Sequence, residues 1–251
     1  MNLNLINDNN YELIDKHYKA DSFTNGRAFK KFFDLLARNV SATNLTMLKD
    51  NKMQSFPIAY SEKNSYASIA HSLHSLTPFV LSEWCVGYQS SKTESSQNRF
   101  VDFWCMSKKK DFEAWIEIKR IWLNIAGNAD KWNFTKRAKK KIQVALNQIE
   151  NLIREVKIDK DRLAKTGNLK VVLLNIPISC SSKRIPDSKI IQSAPHKVAD
   201  LLASGDYKVR WRKKGVLCAV LNLDTQGKKE GGLIYDNEYT PYFALGAVIF
   251  E

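Results

Sequence analysis

The stretch FVDFWCMSKKKDFEAWIEIKR, Phe100 to Arg120, decides how the chain is organised. Its apolar runs, FVDFWC and AWIEIKR, flank a basic segment short and polar enough to join adjacent antiparallel strands. In strand geometry Glu117 and Lys119 share one face while Ile116 and Ile118 share the other. The isoleucines can then enter the core as the polar pair faces a cleft. Asp102, fifteen positions before Glu117, comes alongside through the hairpin. Acids and an E-x-K triplet are ordinary surface features, but a charge inside so apolar a run needs a partner, a metal or an open cleft.

Working outward, 251 residues with 44% hydrophobic content can bury a substantial core. We expect an α/β fold with a mixed central sheet flanked by helices. Residues 1–60 read as an added helical N-terminal region, and 61–251 as the α/β core with C-terminal strands. The formal charge of +13 favours a polyanionic partner without choosing between DNA and RNA. No long apolar span or basic amphipathic helix with an exposed aromatic face points to a membrane. The first residues, MNLNLINDNNYELIDKHYKAD, lack a basic start followed by an apolar stretch, so a cytoplasmic chain is expected. Cys85, Cys105, Cys180 and Cys218 are scattered without a CxxC pair and read as reduced core thiols.

Phe29, Phe32, Phe33, Leu35 and Leu36 cluster at helical spacing and predict a helix over 24–39, with a second short helix over 41–53 before Pro57. Tyr66, Ile69, Leu73 and Leu76 predict another from about Asn64 to Pro78. Phe79 to Tyr88 fits either a helix or the first core strand, and QSSKTESSQN after it reads as a loop close to the site. Residues 121–135 read as a loop anchored by Trp122 and Trp132. The segment KRAKKKIQVALNQIENLIREVK carries one apolar stripe, with Lys136, Arg137 and Lys140 in its basic first turns as candidate phosphate contacts. LKVVLLNIPI, Leu169 to Ile178, suits a strand buried on both faces. A helix is expected over His196–Ala203, then a strand with a basic face from Tyr207 through Arg210 and Arg212. Lys213 to Gly215 reads as a turn into a second strand, and the last strand spans Tyr242–Phe250. Arg210, Arg212 and Lys213 complete the candidate nucleic-acid contacts.

These residues resemble the PD-(D/E)xK phosphodiesterase superfamily, the restriction endonuclease-like fold. The likeness covers roughly residues 79–178 and rests on an acid on one strand and E-x-K on the next. It implies an α-β-β-β-α-β core and a nuclease, with DNA expected ahead of RNA, that binds Mg²⁺, with Mn²⁺ a substitute, through Asp102, Glu117 and the Ile118 carbonyl. Lys119 matches the superfamily's catalytic lysine and Glu83 its additional acid. Gln143 or Gln148 is a weaker match to a helix glutamine. Val101 stands where the superfamily pattern has proline.

The alternative is a non-catalytic nucleic-acid-binding protein or subunit whose acids serve structural pairing, with Trp122, Trp132 and Trp211 available for stacking. A protein interaction module for an acidic partner is a third reading. Glu83 is equally readable as a structural ion-pair partner. A homodimer would suit cleavage of both strands of a duplex, whereas a monomer suffices for nicking. His71 and His74 lack companions at metal-ligand spacing and read as ordinary surface or boundary residues.

Overall fold

The apolar run at Leu169–Ile178 lies within a fifteen-residue strand, Gly167–Ser181, buried continuously from Gly167 to Cys180. Nearly unbroken Val, Leu and Ile suit a strand covered on both faces, since neither side of the pleat meets water. The computed structural model describes residues 3–50, 52–53, 55–86, 99–125, 127–155, 166–224, 233–235 and 237–251. Among them are nine strands and four α-helices. The strands are β1 Tyr11–His17, β2 Val80–Val86, β3 Arg99–Met106, β4 Phe112–Arg120, β5 Leu123–Asn124, β6 Gly167–Ser181, β7 Lys214–Asn222, β8 Leu233–Tyr235 and β9 Glu238–Phe250. The helices are α1 Gly26–Lys49, α2 Glu62–Leu76, α3 Lys136–Glu155 and α4 Ser188–Ala203.

One mixed sheet runs in the order β1-β7-β9-β6-β4-β3-β2, with β5 on β6 and β8 on β9. β4 and β6 are parallel, while β3 and β4 are the antiparallel hairpin expected from the sequence. Helices α1 and α2 cover one face, where Phe29, Phe33, Leu36 and Ile69 meet Ile116, Ile118, Val171 and Leu173. On the other, Ile142 and Leu146 of α3 and Val198 and Leu202 of α4 meet Trp115, Val172 and Leu174. The result is an α/β fold of three layers.

Several boundaries depart from the sequence reading. The two helices expected over 24–39 and 41–53 are one, α1, whose polar residues bond inside the helix. Thr43 and Thr46 donate to the carbonyls of Asn39 and Ala42 at 3.0 and 2.9 Å, and Asn44 Nδ2 donates to Val40 at 2.9 Å. Residues 1–60 are not wholly helical: β1 pairs antiparallel with β7, and α1 joins the main core. The ambiguous segment after Pro78 is a strand, β2. The loop expected at QSSKTESSQN lies outside the described residues.

Helix α4 begins eight residues before the expected start, capped by Asp187, whose side chain accepts from the Lys189 amide, and accommodates Pro195 on its buried face. Proline reads as a breaker because its ring removes one helix hydrogen bond, but here packing retains the helix. Tyr207–Arg212 has the expected alternation but pairs with no strand. Instead the Gln143 side chain bonds both the amide and the carbonyl of Lys208 at 2.9 Å. The turn expected at 213–215 is replaced by the start of β7, where Lys213 and Glu251 exchange backbone hydrogen bonds.

Phe112 ties the outer layer to the hairpin: 1% exposed, it packs edge-on against Phe29 and Phe32 of α1 at 5.3 Å between ring centroids. Phe112→Ala should cost about 3–5 kcal/mol, read as a lower midpoint of urea unfolding.

Candidate active site

The hairpin pairing ends with Phe103 opposite Ile116, so Asp102 and Glu117 occupy the next opposed positions where the strands part. The Ile118 amide takes the Asp102 carboxylate as its hydrogen-bond partner, Oδ2 accepting at 2.7 Å. The Tyr66 hydroxyl, from α2, donates to Asp102 Oδ1. Two donors from different layers thus fix the carboxylate. Burial, then this bond to Asp102, raises the Tyr66 phenol above its ordinary value, so the tyrosine remains a donor.

Glu117 is 1% exposed. Its Oε2 accepts from Lys119 Nζ at 3.3 Å, its Oε1 is buried without a protein donor, and when protonated the carboxyl hydrogen-bonds Asp102. Burial, then the adjacent Asp102 carboxylate, pushes Glu117 up to about 8 against the pull of Lys119. Burial alone would lower Lys119, but Glu117, Glu62 and Asp102 together outweigh it and hold the ammonium above its ordinary value. Lys119 is therefore a fixed positive charge at neutral pH.

Glu62, at the first turn of α2, is the acid that sequence reasoning missed. It pairs with Lys119 at 3.5 Å and accepts from the Arg120 amide at 3.2 Å. Glu83, expected as the additional acid, lies on β2 opposite Asp102 in the register but interrupts the pairing. Its φ is 46°, its side chain is exposed, and among the described residues no hydrogen bond or ion pair joins it to the carboxylate pair. The only local sequence signal for Glu62 is its place after the capping Ser61, whose hydroxyl accepts from the Asn64 amide. Tyr66 carried no separate signal, because its ring also packs against Phe103 as helical periodicity requires.

The basic candidates divide. Lys136, Arg137 and Lys140 are exposed at the start of α3. Arg210 is held by Glu150 at 3.0 Å and Lys213 by Glu251 at 2.6 Å, so both serve ion pairs, whereas Arg212 is exposed. Gln143 is occupied with Lys208, and Gln148 is exposed on α3. Cys105, Cys180 and Cys218 are buried free thiols.

Asp102 and Glu117 supply hard oxygen donors, and the unpartnered Oε1 is an atom that a cation would satisfy. Among the described residues no three His, Cys, Asp or Glu side chains form a ready cage. Mg²⁺ needs none, since it commonly binds one or two carboxylates together with water and substrate phosphate. Ile118 contributes its amide to Asp102. Compared with protein-family models, curated proteins and solved structures, the chain matches none of them.

A raised folded pKa means that the folded state holds a proton the unfolded chain has released, so this contribution to stability falls as pH rises from about 4.5 to about 8. Glu117→Gln removes that titration. In chelator, the thermal midpoint of the variant should rise relative to wild type between pH 5 and pH 9, by the equivalent of a few kcal/mol. A pH-independent difference would place the ionisation elsewhere.

Proposed function

We propose that this chain is a Mg²⁺-dependent nuclease that hydrolyses phosphodiester bonds, with DNA the favoured substrate. The observation that carries this reading is the opposition of Asp102 and the buried, partly unsatisfied Glu117 where β3 and β4 separate, with Lys119 beside them. Among the described residues the succession α2, β2, β3, β4, α3, β6, with the two-residue β5 between β4 and α3, puts an acid on the second of these strands and E-x-K on the third, and it supports a restriction endonuclease-like core.

Asp102 and Glu117 would hold the metal, which supplies charge stabilisation at the phosphoryl oxygens and a more acidic bound water. The protein's own part is positioning. Tyr66 and the Ile118 amide orient Asp102, so the carboxylate need not reorganise during the reaction. Glu117 must give up its proton to act as a ligand, and Lys119 favours that ionisation. The Lys119 ammonium, kept protonated by three acids, orients the attacking water and stabilises charge on the phosphoryl group; it does not abstract a proton.

One observation favours a non-catalytic nucleic-acid-binding protein on the same scaffold. Both Asp102 oxygens and one Glu117 oxygen already have protein partners, as in a structural polar network. The two readings separate on catalysis. Purified protein should cleave at least one of a panel of linear, circular, single-stranded and duplex DNA and RNA in Mg²⁺, and stop on chelation. Asp102→Asn should abolish cleavage and Lys119→Ala should slow it about 10²-fold or more, with nucleic-acid binding retained. Binding without cleavage of any panel member would favour the non-catalytic reading.

A further inference from the structure

Next to the carboxylate pair, a cleft of about 470 Å³ opens between the starts of α2 and α3 and the end of β4. Its size falls in the roughly 300–1,000 Å³ range of small-ligand sites. Glu62 is common to both places: it lines the cleft and pairs with Lys119. The rest of the lining includes Arg120, Trp122, Arg137 and Lys141.

Two features suit this cleft to a nucleotide. The Trp122 ring is 46% exposed although the Arg120 guanidinium stacks 3.5 Å from its centroid, so the ring is held in place and still presents apolar surface. A flat aromatic surface of this kind stacks any base, because every base has a π-face. Arg120 is the second feature. One terminal nitrogen donates to the Ala59 carbonyl, and its Nε is buried without a hydrogen-bond partner. The positive charge of Arg120 at the cleft wall favours an anion. Lys141 reaches the Arg120 carbonyl at 2.9 Å, and Arg137 is exposed at the rim, so positive charge lines the cleft from β4 to α3.

We propose that this cleft receives one unpaired nucleotide adjoining the scissile phosphate, its base against Trp122 and its phosphate against Arg120, Arg137 and Lys141. This inference rests on the nuclease reading for its placement beside the cut, and it makes the substrate single-stranded or frayed nucleic acid. A paired base inside a duplex keeps both faces in its own stack and cannot offer one to the ring.

The test is binding without metal, so it does not depend on cleavage. Affinities of a fluorescent single-stranded dodecanucleotide, a blunt duplex of the same length and a deoxynucleoside monophosphate are measured in chelator for wild type, Trp122→Ala, Trp122→Phe and Arg137→Ala. Trp122→Ala should weaken the single strand roughly tenfold or more and leave the duplex within about twofold, while Trp122→Phe retains most of the affinity. Arg137→Ala should weaken the single strand and reduce its salt dependence. Unchanged single-strand affinity in Trp122→Ala, or equal loss for single strand and duplex, overturns the proposal. A monophosphate bound as tightly as the oligonucleotide, and lost with Trp122, would also overturn it in favour of a free nucleotide. If the expected pattern appears in a protein that cleaves nothing, the nucleotide cleft stands and the nuclease reading falls.

Discussion

Where β3 and β4 part, the Ile118 amide bonds the carboxylate of Asp102. That substitution lets the strands diverge without leaving a backbone donor unpaired in the interior, a loss that would cost about 1–3 kcal/mol. It also sets Asp102 beside Glu117 and leaves Ile116 and Ile118 in the core. The hairpin's apolar face and its polar cluster are therefore one arrangement. Tyr66 closes it from the helical layer, and Glu62 continues it along the end of β4.

Charge is distributed unevenly around this point. The chain carries a formal charge of +13, yet its most buried acid, Glu117, sits with Asp102 and Glu62 around a single lysine. Such a cluster is tolerable because each carboxylate has a donor nearby and Lys119 is shared between two of them. Exposed basic residues lie outside it, among them Lys136, Arg137 and Lys140 at the start of α3. An acidic centre within a basic surface is the electrostatic form expected where a polyanion approaches a cation-binding site, and it is the physical basis for the proposed function.

Much of the sheet was legible because its signals are local. The unbroken apolar run over Leu169–Ile178 reports a strand covered on both faces, and the alternation in Trp115–Lys119 reports a strand, although β4 is buried on both faces as far as Ile118, Glu117 included. Errors came where a distant group satisfied the backbone. Tyr207–Arg212 alternates like a strand, but the Lys208 amide and carbonyl are taken up by Gln143, 65 residues away. β1 is short and polar on one side, and its partner, β7, lies some 200 residues later. Pro195, just before the expected helix start at His196, is buried on α4 beside Ile191, Ala194 and Val198.

The candidate site shows the same division. The spacing from Asp102 to Glu117 and Lys119, with a basic turn between apolar runs, determined by itself that two acids and a lysine would meet, because hairpin pairing and strand alternation leave little choice of geometry. What completes the site came only from tertiary structure. Tyr66 is 36 residues from Asp102, Glu62 is 58 from Arg120, and the cleft joins α2, β4 and α3. Glu62 and Glu83 are both acids in suitable-looking segments. The packing of α2 against the sheet brings the first to Lys119, and the left-handed backbone of the second leaves it facing solvent. Local pattern specifies the face of a strand, whereas the neighbour across a layer depends on how whole elements pack.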